Sequence, residues 1–156
     1  MFYFPPTIIL RHRKENLKKC TLRGLEGRAD FLFFTYPQDA LPPLNQHFLL
    51  TIDAPVLSQE DRSLGIFLID GTWNYAEKMQ RQIPFPPLFQ KRSLPSHLVT
   101  AYPRKQTGCS DPNRGLASIE ALVAAHLLLG RSIEGLLDQF YWKTRFKELN
   151  SKLFDH

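Results

Sequence analysis

The chain has 156 residues, of which 43% are hydrophobic, and Lys plus Arg outnumber Asp plus Glu by 20 to 15. This length can bury one good core, and the positive balance favours an anionic partner. No apolar run reaches the roughly 18 residues that span a bilayer, and the apolar opening residues lack the basic leader of a secretory signal. We therefore expect a soluble, cytoplasmic protein with no membrane partner.

Cysteine and histidine usage gives no indication of a metal. Cys20 and Cys109 are the two cysteines, they form no Cys-x-x-Cys pair, and none of the five His residues has metal-ligand spacing. The chain also has no nucleophilic Ser or Cys motif and no Gly-rich phosphate loop. The sequence thus predicts a reduced protein without a metal site.

Short apolar runs in the first part of the chain predict buried strands at residues 7–10, 29–35, 48–52 and 65–69. Runs such as IFLI and DFLFF are continuous rather than alternating, which is typical of parallel strands covered on both faces. Crossover helices must then join the strands, and residues 17–25 could form one of them.

Helices dominate the predictions for the rest of the chain. A helix is expected over residues 72–81, and Pro84, Pro86 and Pro87 exclude regular helix immediately after it. Two further helices are predicted, the first ending at Gly130 and the second capped by Ser132. Their apolar residues recur at helical spacing: Leu116, Ile119, Val123 and Leu127, then Ile133, Leu136, Leu137, Phe140, Leu149 and Leu153. We expect an α/β domain over residues 1–90 and a mainly helical domain over residues 91–156.

The sharpest local motif is Asp70-Gly71-Thr72-Trp73, between a predicted strand and a predicted helix. Ligands of open α/β sheets bind at the carboxyl ends of strands, so Asp70 and Trp73 are placed to meet one. The alternative is that Asp70 caps the helix and Trp73 fills the core.

A long loop rich in Pro, Gly and polar residues precedes the helix that starts near Ser118. Long loops inside compact domains are usually functional. Ser118 and Glu120 suit the first turn of that helix as capping residues, and this is the favoured role for Ser118. Glu120 has apolar neighbours that could draw it into a buried site.

Basic residues fall into groups along the chain, and most such groups on a small protein are solvated faces. Those in loops that border a site are better candidates for contacts with RNA phosphates, which supply affinity rather than base specificity. The predicted RNA-binding residues are Arg11, Lys18, Lys19, Arg92, Arg104, Lys105 and Arg114.

The ordered motifs resemble those of the ribosomal-RNA aminocarboxypropyltransferases of archaea and eukaryotes, which share a superfamily with the DTW-domain tRNA-uridine aminocarboxypropyltransferases. The resemblance covers nearly the whole chain. It is carried by five blocks in the same order, namely RHRKENLKKCTLRGL, LSQEDRSLGIFLIDGTW, RSLPSHLVTAYP, GLASIEALVAAHLLLG and LLDQFYWKTRFKELNSKLF.

This resemblance implies a SPOUT-like α/β fold, with a parallel sheet, a knotted cofactor-binding region and an all-helical C-terminal lobe; such knots are very rare. It implies S-adenosylmethionine as the group donor, held largely by the backbone of loops in residues 91–156. The methionine end would lie near Thr21, Asp70 and Trp73. The adenosine would lie against Leu94, Leu98, Ala101, Leu116, Ala117 and Ser118.

The implied reaction transfers a 3-amino-3-carboxypropyl group to a uridine or modified pseudouridine in RNA. A base nitrogen must attack the aminocarboxypropyl carbon, so the cofactor is turned around relative to a methyltransferase. Trp73 is expected to cover the methyl group while in-line alignment accelerates transfer. Asp70 either orients the cofactor or accepts the imide proton of uridine. Both residues are predicted to be catalytic.

Two departures from the family concern the substrate. Asp-Gly-Thr-Trp stands where the ribosomal family usually has Asp-Cys-Ser-Trp, and residues 102–106 replace its usual Asn-Pro-x-Asn-Tyr-Gly in the loop that faces RNA. The full-length layout favours ribosomal RNA or a pre-ribosomal particle over tRNA. A SPOUT-type RNA methyltransferase and a noncatalytic ribosome assembly factor are the alternatives. The helical lobe could replace a partner subunit, which predicts a monomer.

Overall fold

The computed structural model describes residues 4–14, 20–71, 73–102 and 115–155. Within them, a five-stranded parallel sheet has the order β2-β1-β4-β3-β5. The strands are β1 (Thr7–His12), β2 (Phe31–Tyr36), β3 (His47–Leu50), β4 (Gly65–Asp70) and β5 (Gln90–Arg92). The α-helices are α1 (Trp73–Gln82), α2 (Ser118–Leu128) and α3 (Lys143–Leu149), and 3-10 turns cover Gln59–Asp61 and Ser151–Phe154.

Both faces of the sheet are covered, which explains why its strands read as continuous apolar runs. Successive side chains of a strand point to opposite faces. In β1, Ile9 joins the larger core cluster, whereas Ile8 and Leu10 join a smaller one on the other face. In β4 the same alternation sends Ile66 to the first cluster and Phe67 to the second. The predicted parallel sheet and its first four strands are confirmed.

Helices α1 and α2 lie on opposite faces of this sheet. Met79 of α1 is fully buried in the smaller cluster, and Leu122 and Val123 of α2 are fully buried in the larger one. The larger cluster also contains Phe140 and Phe146 from the C-terminal part, so one core joins residues from both halves of the chain. The boundary expected between residues 90 and 91 falls inside β5.

One local prediction was wrong, and one strand was not foreseen. The second C-terminal helix is not continuous, because residues 134–139 form turns before α3 begins. Gly135 adopts the left-handed conformation (φ +80°), which interrupts a helix, and the Ser132 hydroxyl accepts the Glu134 N–H within this turn segment. The short strand β5 was not predicted.

Of two other expectations, one is testable only in part and one is confirmed. Residues 20–24, the described end of the crossover helix expected over 17–25, form turns rather than helix. Helix α2 ends as predicted near Gly130, whose φ is +74°. In the described residues, no helix has the length and apolar character needed to cross a membrane.

Candidate active site

The predicted site motif lies at the carboxyl end of the sheet, where the central strands β1 and β4 terminate side by side. Arg11 is the direct cross-strand partner of Asp70 in the parallel register. Both side chains are almost completely buried, with 8% of Arg11 and 4% of Asp70 exposed. Open α/β sheets bind ligands at this end, so the strand register alone brings an acid and a base together there.

Three side chains hold the carboxylate of Asp70. The Ser118 hydroxyl donates to Oδ1 over 2.8 Å, while the Arg11 Nε (3.4 Å) and the Cys20 thiol (3.2 Å) both donate to Oδ2. Ser118 therefore does not cap α2 with its side chain, the role favoured for it from the sequence; its hydroxyl joins α2 to the end of β4. A carboxylate with this many donors is fixed in position.

Arg11 and Cys20 are themselves held in place. Arg11 Nη1 lies 3.3 Å from Glu26 Oε2, and its guanidinium lies 4.8 Å from the centre of the Phe33 ring. Burial and the nearby Asp70 carboxylate raise the pKa of the Cys20 thiol to about 12. Cys20 thus keeps its proton at neutral pH and serves as a hydrogen-bond donor rather than as a nucleophile.

A cleft opens beside this network, between α1 and the loops that precede α2. Asp70 is its immediate neighbour, because Gly71 and Ser118 both line the cleft. One wall comes from the ends of β3 and β4, and the opposite wall is largely apolar. The lining residues include Thr51, Ile52, Ile69, Ala76, Glu77, Gln80, Leu94, Pro95, Leu98 and Leu116.

Glu120 fixes the loop that forms the far wall of the cleft. It is fully buried, as its apolar neighbours in the sequence suggested. Its carboxylate accepts hydrogen bonds from the Thr100 hydroxyl (2.6 Å), the Ala101 N–H (2.7 Å) and the Ala117 N–H (2.8 Å). The Ala117 bond caps the start of α2, and the other two hold the 98–102 segment against that helix.

The residues predicted to bind the cofactor fall into two positions. Leu94, Leu98, Leu116 and Ser118 line the cleft. Three others support it from behind: Ala101 and Ala117 are buried with their N–H groups bound to Glu120, and Thr21 Oγ1 accepts the Ile119 N–H over 3.2 Å. Trp73 is the first residue of α1, directly beyond the Asp70 strand end, and its side chain is not among the described parts of the chain.

The residues predicted to contact RNA are only partly within the described ranges. Arg11 is buried and turned towards Asp70 and Glu26 rather than towards solvent. The Arg92 Nε donates to both carboxylate oxygens of Asp61, at 3.2 and 3.1 Å. The remaining five lie outside the described residues: Lys18, Lys19, Arg104, Lys105 and Arg114.

Sequence reasoning did not identify Cys20, Glu26 and Thr100 as parts of the site. Glu26 follows a turn in which its own side chain accepts the Gly24 N–H over 2.8 Å, and nothing in the linear pattern connects it to Arg11. The pairing of β1 with β4, which places Arg11 opposite Asp70, is likewise a nonlocal contact that the linear pattern does not show.

Residues 43–156 match the family model described as "Ribosome biogenesis protein, C-terminal". The chain belongs to this ribosome biogenesis family. A search of curated protein sequences gives no significant match.

A solved structure extends the likeness to the family over almost the whole chain. It is the SAM-dependent rRNA:acp-transferase Tsr3 from Vulcanisaeta distributa, which is 26% identical in sequence, with a TM-score of 0.71. The alignment covers 96% of this chain and 80% of the Vulcanisaeta chain. The similarity thus includes the N-terminal strands that carry Arg11, outside the residues matched by the family model.

Proposed function

We propose that this chain transfers a 3-amino-3-carboxypropyl group from S-adenosylmethionine to a uridine or modified pseudouridine in ribosomal RNA. Its membership of a ribosome biogenesis family and its similarity to an SAM-dependent rRNA:acp-transferase support this proposal. The observation that carries it is the cleft at the strand ends, which lies next to a buried carboxylate held by three donors.

The cleft residues fit S-adenosylmethionine. Leu94, Leu98 and Leu116 supply apolar surface for the adenine ring, and Thr51 and Ile52 line the cleft beyond the end of β3. When bound, the cofactor supplies an electrophilic carbon attached to a positively charged sulfur. Glu77, whose carboxylate pairs with Arg81 within α1, also lines the cleft. Trp73 starts α1 at this end of the sheet, and we keep it as the residue that covers the methyl group.

For Asp70, the contacts favour orientation over proton abstraction. Its carboxylate already accepts hydrogen bonds from Arg11, Cys20 and Ser118, so it enters the reaction as a fixed, negatively charged acceptor. Such an acceptor can align the imide N–H of the base or the amino group of the cofactor. Preorganised alignment of this kind can supply a large part of the rate enhancement of a transfer reaction.

The proposal extends to RNA contacts outside the described residues. Lys18, Lys19, Arg104, Lys105 and Arg114, together with Arg92, are proposed to contact phosphates, and Arg11 is instead assigned to holding Asp70. Reversing the charge of Arg104 and Lys105 should weaken RNA binding and spare cofactor binding. Equal loss of both affinities would contradict this division of roles.

We also propose the finer features of the SPOUT-like architecture, namely a knot in the cofactor-binding region and a helical C-terminal lobe. Helices α2 and α3 and the 3-10 turn at Ser151–Phe154 support the lobe. An experimental chain trace through the cofactor-binding loops of residues 91–156 tests the knot, and an unknotted trace would refute it. We also propose that the protein is a cytoplasmic monomer. A molecular mass from light scattering that is twice the mass of one chain would contradict the monomer.

The deciding experiment incubates the protein with unmodified ribosomal RNA and two preparations of S-adenosylmethionine, labelled in the methyl or in the carboxyl group. Carboxyl label should enter the RNA, and 5′-methylthioadenosine should be the by-product. Methyl label in RNA would make the protein a methyltransferase. Transfer to tRNA but not to ribosomal RNA would correct the substrate, and cofactor binding without any transfer would indicate an assembly factor.

A further inference from the structure

A group of aromatic rings lies at the same end of the sheet, on the face opposite the Asp70 carboxylate. The His12 and Tyr75 rings are stacked with centroids 4.0 Å apart and planes only 7° from parallel. Tyr36 extends the group, with its ring centroid 5.8 Å from that of His12. All three side chains are partly exposed, so this aromatic platform of Tyr36, His12 and Tyr75 is accessible to a ligand.

The His12 ring is fixed and neutral. The Lys14 N–H donates to His12 Nδ1 over 3.1 Å, so this nitrogen carries no proton and Nε2 carries the single N–H. Burial, followed by repulsion from the cations Arg13, Lys14 and Lys78, lowers the pKa of His12. A flat, uncharged ring at neutral pH is suited to stacking against another aromatic ring.

Those cations surround the platform on both elements that build it. Arg13 and Lys14 follow His12 at the end of β1, and Lys78 lies one turn after Tyr75 in α1. All three side chains are exposed. Aromatic rings interleaved with exposed cations form the usual combination for binding single-stranded nucleic acid, since bases stack while phosphates meet positive charge.

The platform borders the proposed active site through Gly71. A Cβ placed on Gly71 would be 3.6 Å from the Cβ atoms of both His12 and Tyr75, so this residue lies beside the points where both side chains leave the backbone. Gly71 also lines the cleft and immediately follows Asp70. A nucleotide on the platform would therefore be a close neighbour of a base entering the cleft.

We propose that the aromatic platform stacks a nucleobase that flanks the acceptor nucleotide in single-stranded RNA, while Arg13, Lys14 and Lys78 contact its phosphates. This inference rests on the proposed function, because it names the RNA element that the same site recognises. Stacking tolerates every base, so the platform adds affinity and positions the strand, whereas the cleft selects the reacting base.

The test measures fluorescence anisotropy of a labelled single-stranded oligouridine with His12→Ala, Tyr75→Ala, His12→Phe and Tyr75→Phe variants. The two alanine variants should bind about tenfold more weakly, because loss of base–aromatic stacking has effects of this size. The two phenylalanine variants should retain affinity within about twofold, since they keep a flat ring. Tyr141→Ala is the matched control, because it removes an aromatic side chain that is 84% exposed elsewhere on the protein.

Two further measurements distinguish base stacking from misfolding and from simple charge attraction. Cofactor affinity measured by calorimetry should be unchanged in the alanine variants, and this result would exclude general misfolding. The proposed transfer reaction can then be tested independently of the platform. Heparin should bind all variants equally, because it offers charge without bases. The proposal would be overturned if both alanine variants bound RNA with wild-type affinity. It would also be overturned if the phenylalanine variants lost as much RNA affinity as the alanine variants, or if the alanine variants lost heparin affinity to the same extent as RNA affinity.

Discussion

At the carboxyl end of the sheet, the buried Asp70 carboxylate meets a guanidinium, a thiol and a hydroxyl. At the amino end, by contrast, buried basic side chains bind main-chain carbonyls. His47 Nε2 contacts the Pro6 oxygen at 2.8 Å, His126 Nδ1 donates to the Leu122 oxygen at 2.7 Å, and Arg131 donates to the carbonyls of Arg62 and Leu64. The buried charges at the carboxyl end are thus paired with one another, whereas the described hydrogen bonds of these three basic side chains go to neutral carbonyls.

The consequences for charge differ accordingly. Burial lowers the pKa of His126 to about 4 and that of Arg131 to about 10, and it also lowers the pKa of His47. His47 Nδ1 and the Nε and Nη1 atoms of Arg131 are buried without a hydrogen-bond partner in the described structure. The buried histidines at the amino end therefore resist protonation, and the unpartnered polar atoms there cost stability, whereas the carboxyl end holds a negative charge in a defined position.

Asp70→Asn should produce the largest loss of activity. It removes the negative charge but keeps the shape of the side chain, so we expect transfer of labelled aminocarboxypropyl to fall by about 100-fold or more. Asp30→Asn is the matched control at the amino end, where Asp30 accepts two bonds of 2.9 Å from Arg28. If both variants lost transfer activity equally, the proposed functional distinction between the two ends of the sheet would be refuted.

Gly65→Ala should reduce stability and leave the chemistry of folded molecules intact. A Cβ at Gly65 would lie 2.5 Å from His47 Nε2 and 3.0 Å from Pro5, so the bond from His47 to Pro6 must break or shift. We expect a loss of about 1–3 kcal/mol in denaturant unfolding, as for other overpacked sites. Gly27→Ala serves as the control, since nothing lies within 4 Å of its added Cβ. Similar losses in both variants would refute the proposed clash.

Ser118→Ala tests a single donor at the carboxyl end. The variant removes the 2.8 Å bond to Asp70 Oδ1 but leaves the Arg11 and Cys20 bonds in place. One such bond to a charged group is worth about 1.5–3 kcal/mol, and with two donors remaining we expect transfer to slow by about tenfold. Rescue by Ser118→Thr, which restores a hydroxyl, would support positioning. An unchanged rate in Ser118→Ala would show that this bond has no part in transfer.

Buried His126 at the amino end of the sheet should make the free energy of unfolding depend on pH. His126 titrates near its ordinary pKa when unfolded but near 4 when folded, so between about 6.5 and 4 the unfolded chain binds a proton that the folded chain does not. Stability is therefore full above this window and falls by up to about 1.4 kcal/mol per pH unit as the pH drops through it. Urea unfolding of His126→Gln should show a shallower dependence, and parallel curves for variant and wild type would contradict this assignment.

Much of the fold could be predicted from the sequence because its signals are local. Continuous apolar runs identify strands covered on both faces, and the spacing around Val123 identifies α2. Strand β5, with the sequence QKR, has no apolar run, and it exists because its backbone pairs with β3. Gly135 breaks the last predicted helix by its backbone conformation, although its apolar neighbours keep helical spacing.

The candidate site was predictable only where one strand end carries it. Asp70 ends an apolar strand and Gly71 follows it, and so their position could be inferred. Cys20 and Glu26 reach the site through irregular turns, for which spacing gives no guide. Ser118 had a sufficient local explanation as a cap, and only the packing of α2 against the end of β4 directs its hydroxyl to Asp70.

Asn150 links the end of the chain to the cleft. Its side chain accepts the Val99 N–H over 2.8 Å and donates to the Val99 oxygen over 2.9 Å, as a neighbouring strand would. The wall beside Leu98 is therefore held by a residue made some fifty positions later. The wall therefore depends on a contact between two segments that are far apart in the sequence. Local unfolding around Asn150 would release the Val99 backbone and deform the cleft, even with the sheet intact.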